Sequence, residues 1–427
     1  MKLLKSLYSN KIFKSILILL SGTILSQIIV LAASPLLTRL FSPEDIGTLT
    51  VFTTLLVFIT IIMTFKYELA IVIPKSKREA ISVFNLTIII VIMMTILLTV
   101  TLIIGKDFFI SVLKLDELKS IYLILPLTAF LLGISNILNF WFVRSESYQT
   151  ISKSKLIQST VTSSSQIVGG LLNLGTKSLI FGYLIGQFAV TLFYLRKFNK
   201  DIKSSYFFSK KGIKKVAIKY NDLPKYNATQ SLVNSFSSNF IIILFSISFS
   251  SAVVGYYAMA IRLVQFPIAV ITSSVKDVFF KELTKVFNSN IKRYHMYLLK
   301  YTLTLIVIAI VPFVIIYLYA PDIFSFALGA EWAVAGEYSK FLSFWLLCAF
   351  VNTPAMLTIQ LFKMQKYLLI YEIVLLIVRI SIIYFASMNL EPIFVIIIYS
   401  IIGAMFNLSL IAIVYTYIKK YVKKLDV

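Results

Sequence analysis

Long apolar runs recur along this chain and leave few folds open to it. Twelve stretches of about 20 apolar residues can be marked, roughly 14–38, 46–65, 80–104, 118–142, 154–173, 176–196, 226–248, 254–275, 298–320, 340–361, 367–387 and 392–418. A helix of that length crosses the hydrocarbon core of a bilayer while satisfying its own backbone polar groups. The runs lack the apolar–polar alternation of a membrane β-barrel strand. The sequence therefore predicts an all-α, polytopic membrane protein with about 12 transmembrane helices. The start, MKLLKSLYSNKIFKSILILL, has the basic head of a secretory signal. Its apolar run continues to Leu37 and more spans follow, so it reads as an uncleaved first helix.

Basic residues set the expected orientation. With the N-terminus inside, 33 of the 41 Lys and Arg fall on the cytoplasmic side, six fall outside, and Arg262 and Arg379 lie within spans. An excess of positive charge marks cytoplasmic loops, so both termini are expected in the cytoplasm. The same bias, with attraction to anionic lipid, accounts for the net charge of +23, and no nucleic-acid partner is implied. One cysteine, Cys348, and one histidine, His295, leave no disulfide framework within the chain and no His/Cys metal cluster.

The segment 196–225 holds ten Lys and Arg between the sixth and seventh runs. Taken as a cytoplasmic basic linker over 198–225, it separates an N-terminal six-helix lobe, 1–197, from a C-terminal one, 226–427. FSPEDIG at 41–47 and FSSAVVG at 249–255 share F-S-x4-G at an offset of 208, each between the first and second spans of its half. Six spans per half make the repeats parallel, related by a pseudo-two-fold along the membrane normal, an architecture of transporters.

Enzymatic readings find little support, and no catalytic residue or metal ligand is assigned. GGLLNLGTKS at 169–178 approaches a phosphate loop, but Thr176 intervenes before the required lysine. Glu44 and Asp45 lie in the first outer loop, where lipid-linked glycosyltransferases often carry catalytic acids. The capping reading is stronger: Ser42 suits an N-cap, Pro43 the first helical position, and Asp45 stands three after Ser42. A charge within a span costs a few kcal/mol unless it meets a cavity or a partner. Arg262 in the eighth span and Arg379 in the eleventh are therefore candidate substrate ligands. Glu372 precedes Arg379 by seven residues, on nearly the same helix face. Polar stripes run along span one (Thr23, Gln27, Ser34, Thr38), span seven (Asn227, Gln230, Asn234, Ser238) and span five (Ser154, Gln158, Thr162, Ser165). Those with amides, including Gln27 and Asn234, read as lumen lining; the fifth is balanced between lumen and helix packing. A basic lumen with few acids suits an anion, and arginine's planar fork suits phosphate oxygens.

SGTILSQIIVLAASPLLTRLFSPEDIGTLTVF, followed by FKYELAIVIPKSKREA at 65–80, resembles the N-terminus of the polysaccharide-biosynthesis flippases. This family belongs to the multidrug/oligosaccharidyl-lipid/polysaccharide exporter superfamily. WFVRSESYQTISKS at 141–154 is a looser echo, and the motifs cover about the first third of the chain. The resemblance implies a V-shaped cavity between two six-helix lobes, with basic residues holding a diphosphate and alternating access moving it. It implies that an undecaprenyl-diphosphate-linked oligosaccharide, an O-antigen or capsule repeat unit, crosses the bacterial inner membrane. Arg39, Lys66, Glu68 and Arg144 match motif positions, with Lys66 replacing the family's arginine. Related peptidoglycan-precursor flippases usually have fourteen spans, so twelve favours the repeat-unit branch. No cofactor is expected. Proton or sodium coupling is left open, with Glu68, Asp277 and Glu372 as the candidate acids. A glycan polymerase and chain-length proteins are the expected protein partners. A multidrug or small-solute antiporter of the same fold, and a membrane glycan polymerase or ligase, remain as alternatives.

Overall fold

The structure is a computed structural model, and it describes residues 11–106, 111, 119, 121–201 and 209–424. Every regular element among them is helical. In order these are α1 (Lys11–Leu40), α2 (Pro43–Thr64), α3 (Lys77–Ile104), α4 (Ile124–Arg144), α5 (Tyr148–Leu171) and α6 (Thr176–Asp201). There follow the short α7 (Lys210–Lys219), then α8 (Thr229–Ser248), α9 (Ser251–Ser289), α10 (Tyr294–Leu328), α11 (Ala333–Val351), α12 (Thr353–Leu361), α13 (Gln365–Asn389) and α14 (Pro392–Lys424). Eleven helical segments are long and apolar enough to cross a membrane, with α11 and α12 together forming one of them. The missing member of the expected twelve is α5. At 24 residues it is about 36 Å long, but it is too polar to qualify by composition.

Several polar groups of α5 bond to neighbouring helices, although the Thr162 hydroxyl is buried without a partner and Ser159 bonds back to Leu156. Ser154 shares a 2.7 Å hydrogen bond with Tyr194, Gln158 donates to Gln187 at 3.0 Å, and Gln166 donates to the Leu179 carbonyl at 2.9 Å. Lys155 donates to Thr23 on α1 at 2.8 Å. Glycines let the backbones approach: Gly182 and Gly186, four apart on α6, lie against Gln166 and Thr162, and Gly22 on α1 lies against Ser152. This is the small-residue packing that membrane helices use. The stripe on span five therefore packs helices. On span one the stripe divides: Ser34 and Thr38 are buried and bond back into their own helix, while Gln27 is exposed.

RLFSPEDIG is a helix junction. The Asp45 amide donates to Ser42 Oγ at 3.3 Å, and the Ser42 amide donates to Asp45 Oδ2 at 3.0 Å, a complete capping box with Pro43 at its start. The other Asp45 oxygen accepts from Thr176, the first residue of α6. Glu44 is exposed. The second F-S-x4-G copy occupies the equivalent break, between Ser248 and Ser251, so the turn repeats without the acids. GGLLNLGTKS is the turn from α5 to α6, with Asn173 and Gly175 at φ of 54° and 61°.

The chain forms two compact units, Met1–Val254 and Gly255–Val427. The first takes in α8, which the sequence pattern allots to the second half. The helix lies along α2, where Phe58 and Phe236 have ring centroids 6.3 Å apart. The second unit is built on a core that includes Leu283, Tyr294, Leu305 and Leu357. Buried polar pairs tie its helices, among them Tyr294 to Thr358 at 3.1 Å and Asn352 to Asn407 at 2.9 Å.

Asp45→Ala removes a cap and a helix–helix bond, so it is expected to lower stability by about 1–2 kcal/mol, while Glu44→Ala changes it by less than about 0.5 kcal/mol. Thermal unfolding of the detergent-purified variants measures both. A catalytic role for this acid pair would instead abolish activity in both variants without changing either melting curve.

Candidate functional site

Between α2 and α3 the backbone does something rare for ordinary side chains. Phe65 and Lys66 are consecutive left-handed residues, at φ of 46° and 60°. Left-handed backbone at a non-glycine residue costs of order 1–3 kcal/mol and persists only where surroundings enforce it. Arg144, at the end of α4, holds the chain that follows this pair. Its guanidinium donates to the carbonyls of Ile71 (3.2 Å), Val72 (3.4 Å), Pro74 and Lys75 (3.3 Å). Tyr67 adds a 3.1 Å bond to the Ala217 carbonyl of α7. That helix is held to the start of α3 by Glu79, which accepts from Lys219 at 2.6 Å and from Tyr220 at 2.9 Å. A single turn of 3-10 helix, Tyr67–Ile71, is fixed in place as a result.

The break turns Lys66 into a cavity of about 300 Å³ within the first unit. Five elements converge on it: Thr53 and Thr60 from α2, Lys66 from the break, Asn136 from α4, Tyr183 from α6 and Ser235 from α8. Hydroxyls and an amide share the wall with one cation and with Leu56, Val57, Ile61 and Leu132, and no acid lines it among the described residues. The size falls at the lower end for small-ligand pockets. The acid lies just behind: Glu68 is 1% exposed, and its Oε1 is 3.9 Å from Lys66 Nζ. The other oxygen, Oε2, has no hydrogen-bond partner. Burial pushes the Glu68 carboxyl above its ordinary value of 4.5, against the opposing pull of its own backbone amide, the Thr64 hydroxyl and Lys66.

The remaining sequence candidates are distributed as follows. Arg144 is occupied by main chain rather than presented to a ligand. Arg39 is exposed in the last turn of α1, and Gln27 is exposed about three turns earlier. Asn234 lies on α8 with Gln230 and Ser238, Asn227 lies in the turn of helix just before it, and all four are exposed. In the second unit Arg262 is exposed on α9 and meets no partner among the described residues. Arg379 is the opposite case. Its guanidinium stacks 4.6 Å from the Tyr399 ring and 5.1 Å from the Trp345 ring, and its Nε is buried without a hydrogen-bond partner. Gly403 makes the room, since a Cβ there would stand 2.6 Å from the Arg379 terminal nitrogen. Glu372 is exposed on the same helix, α13, and the side chain of Asp277 lies outside the described residues. Sequence reasoning missed Thr53, Thr60, Asn136, Tyr183 and Ser235. Asn136, an amide amid apolar residues in the fourth span, carried the one usable signal.

A family model described as "Polysaccharide biosynthesis protein" matches residues 36–337, well over half of the chain. The chain belongs to that family. Among solved structures it resembles the lipid II flippase MurJ in an inward closed conformation, with a TM-score of 0.74, 16% identity, and 95% of this chain and 90% of that one covered. It also resembles an inward-facing multidrug resistance MATE family transporter of the MOP superfamily, with a TM-score of 0.69, 15% identity, and 94% and 95% covered. A third is a MOP superfamily transporter from Pyrococcus furiosus, at a TM-score of 0.52, 15% identity, and 96% and 95% covered. No curated protein sequence matches. At these identities the likenesses show the fold, which is the two-lobe, 12-helix fold of this superfamily, in a multi-pass membrane protein.

The raised Glu68 carboxyl has a consequence for stability. The folded protein holds a proton that the unfolded chain releases, so stability is expected to fall as pH rises from 4.5 through the raised value. Glu68→Gln carries no titrating group and is expected to flatten that decline. Thermal unfolding midpoints of both proteins between pH 4.5 and neutrality test it, and parallel curves would refute it.

Proposed function

We propose that this protein flips an undecaprenyl-diphosphate-linked oligosaccharide, an O-antigen, capsule or related repeat unit, to the outer face of the bacterial inner membrane by alternating access. Family membership and the flippase-like fold support a lipid-linked cargo. The observation that carries the reading is the cavity, lined by hydroxyls and an amide among apolar side chains and by no acid among the described residues, into which a clamped, strained turn delivers Lys66. A lysine is a compact phosphate-binding charge, and the Asn136 amide with the Tyr183 and Ser235 hydroxyls add donors suited to a diphosphate, while Thr53 and Thr60 donate back to the Thr50 and Leu56 carbonyls of their own helix.

In this reading both termini are cytoplasmic, and the two six-helix lobes, 1–197 and 226–427 with the basic linker between them, rock about the cargo. Lys66 and Arg262 contact the diphosphate. Arg379, held by its aromatic neighbours, supplies fixed positive charge. Arg39 acts at the outer gate, Gln27 and Asn234 line the sugar path, and Arg144 positions the Lys66 turn. Glu68 is the first candidate for proton coupling, with Asp277 and Glu372 as further acids. No step requires a cofactor, and the product would pass to a glycan polymerase with its chain-length proteins.

Energetics are consistent with transport without ATP. A diphosphate carries roughly two negative charges, and each gains about 2.3 kcal/mol per 100 mV on leaving a negative interior. The drive is then about 4–5 kcal/mol. A drug–cation antiporter would be expected to place acids in the cavity wall, and an enzyme would need a nucleophile–base set.

Reconstituted vesicles with a fluorescent polyprenyl-diphosphate oligosaccharide give the test. Lys66→Ala and Arg262→Ala are each expected to lower the flipping rate at least about tenfold, the equivalent of one lost charge-assisted contact. An inside-negative potential is expected to accelerate the wild type. Flipping that ignores the potential and survives both substitutions would refute the proposal, and export of organic cations in its place would favour the antiporter.

A further inference from the structure

The second unit carries a groove of about 610 Å³ between α10 and α14 that contains none of the residues assigned to the cargo. Its floor follows one face of α10, from His295 through Leu299 and Leu303 to Val307 at spacings of four, and on to the adjacent Ile308. That is about 20 Å of helix. The two ends differ in chemistry. At the N-terminal end His295 faces Tyr415 of α14, with ring centroids 6.4 Å apart, and its Nδ1 is buried without a hydrogen-bond partner. Lys300 lines the groove one turn on, and its side chain is exposed. Arg293 and Lys419, both exposed, extend the cationic character at this end. Along the rest of the groove the wall is hydrocarbon but for Thr304: Leu299, Leu303 and Val307 are 44%, 51% and 71% exposed.

We propose that this groove binds an anionic phospholipid of the inner leaflet, with its phosphate at His295 and Lys300 and one acyl chain lying along Leu299, Leu303 and Val307. The site lies on a helix that crosses the membrane, so its apolar strip has lipid rather than water as the available occupant. In the orientation given above, the N-terminal end of α10 is cytoplasmic, where the leaflet is rich in anionic headgroups. Length selects the class of lipid. One leaflet contributes about half of a hydrocarbon core of about 30 Å, so a strip of about 20 Å takes one acyl chain and its headgroup. A polyprenyl chain is far longer than the strip. Lys300 reaches the phosphate by laying its methylenes along the apolar wall, as interfacial lysines do. The inference rests on the orientation but not on the identity of the cargo.

The full chain, reconstituted in phosphatidylcholine nanodiscs with a trace of photoactivatable phosphatidylglycerol or phosphatidylcholine, provides the experiment. After illumination, labelled peptides are mapped. Phosphatidylglycerol is expected to label 291–308 about fivefold more than phosphatidylcholine does, the preference expected of one lysine for a net negative headgroup over a zwitterionic one. Unlabelled phosphatidylglycerol should compete, whereas polyprenyl phosphate should not. Lys300→Glu, or Lys300→Gln where the charge reversal impairs folding, removes the preference, and Leu303→Trp removes labelling by both lipids. Equal labelling by the two lipids, an unchanged preference in the Lys300 variants, or displacement by polyprenyl phosphate in place of phosphatidylglycerol would each overturn the assignment. Flipping assays on the same variants separate this outcome from that of the cargo proposal, since none of the altered residues handles the cargo.

Discussion

Four main-chain carbonyls, those of Ile71, Val72, Pro74 and Lys75, converge on one guanidinium, and the first unit's cavity depends on that convergence. Non-helical backbone at a membrane boundary leaves carbonyls without partners, and each unsatisfied group is costly. Arginine alone among side chains offers five donors in a rigid plane, enough to serve a turn of carbonyls at once. With those carbonyls held, the chain between α2 and α3 cannot relax into a continuous helix. Phe65 and Lys66 remain left-handed, and Lys66 lines the cavity together with Thr53 and Thr60. A lysine in place of Arg144 would keep the charge but could not span four acceptors. The clamp, more than any single ligand, is what makes the site.

The same requirement, that polar atoms inside a membrane find partners, governs the helix packing. α5 carries enough Ser, Thr and Gln to fail as a membrane span by composition, yet it occupies a span's place because α1 and α6 satisfy it. Glycines at 182 and 186 bring the backbones close enough for short side chains to reach across. In the second unit a cation is accommodated by aromatic faces instead. Tyr399 and Trp345 flank Arg379, and a desolvated cation over an aromatic ring gains on the order of 2 kcal/mol. Arg262 has neither device, and it remains exposed on α9.

Much of this was legible in the sequence, for definite reasons. Apolar run lengths mark the helices because the bilayer dictates them, and even α5 was found through the apolar residues scattered among its hydroxyls. The capping box of Ser42 and Asp45 was legible because it is local, confined to four residues. What could not be read depends on contacts between distant segments. Arg144 matched a motif and carried a charge, so it read as a ligand, but its acceptors lie about 70 residues earlier in the chain. Ser235 and Tyr183 reach one cavity from different helices, and no spacing rule connects them. Arg262 and Arg379 look alike as charges in spans, and only the aromatic neighbours of the second tell them apart. The polar stripes misled in part because packing and lumen lining use the same residues at the same period.

The close placement of Lys66 and Glu68 bears on how one site could both take and release an anion. A separation of 3.9 Å is beyond a good hydrogen bond, so the carboxylate tempers the lysine's charge without occupying its donors. Ionised, the buried acid competes with any arriving phosphate for that charge. Protonated, it stops competing, and Lys66 is left to the cavity. Desolvation already biases Glu68 toward the protonated form, and its unpartnered oxygen can carry the proton without breaking an existing bond. On the proposed reading, the proton state of Glu68 and the occupancy of Lys66 are therefore linked, each favouring the other by the same free energy. Such a linkage needs no movement of the clamp itself. The rigid turn fixes the two side chains at a separation where one proton changes what the lysine can bind.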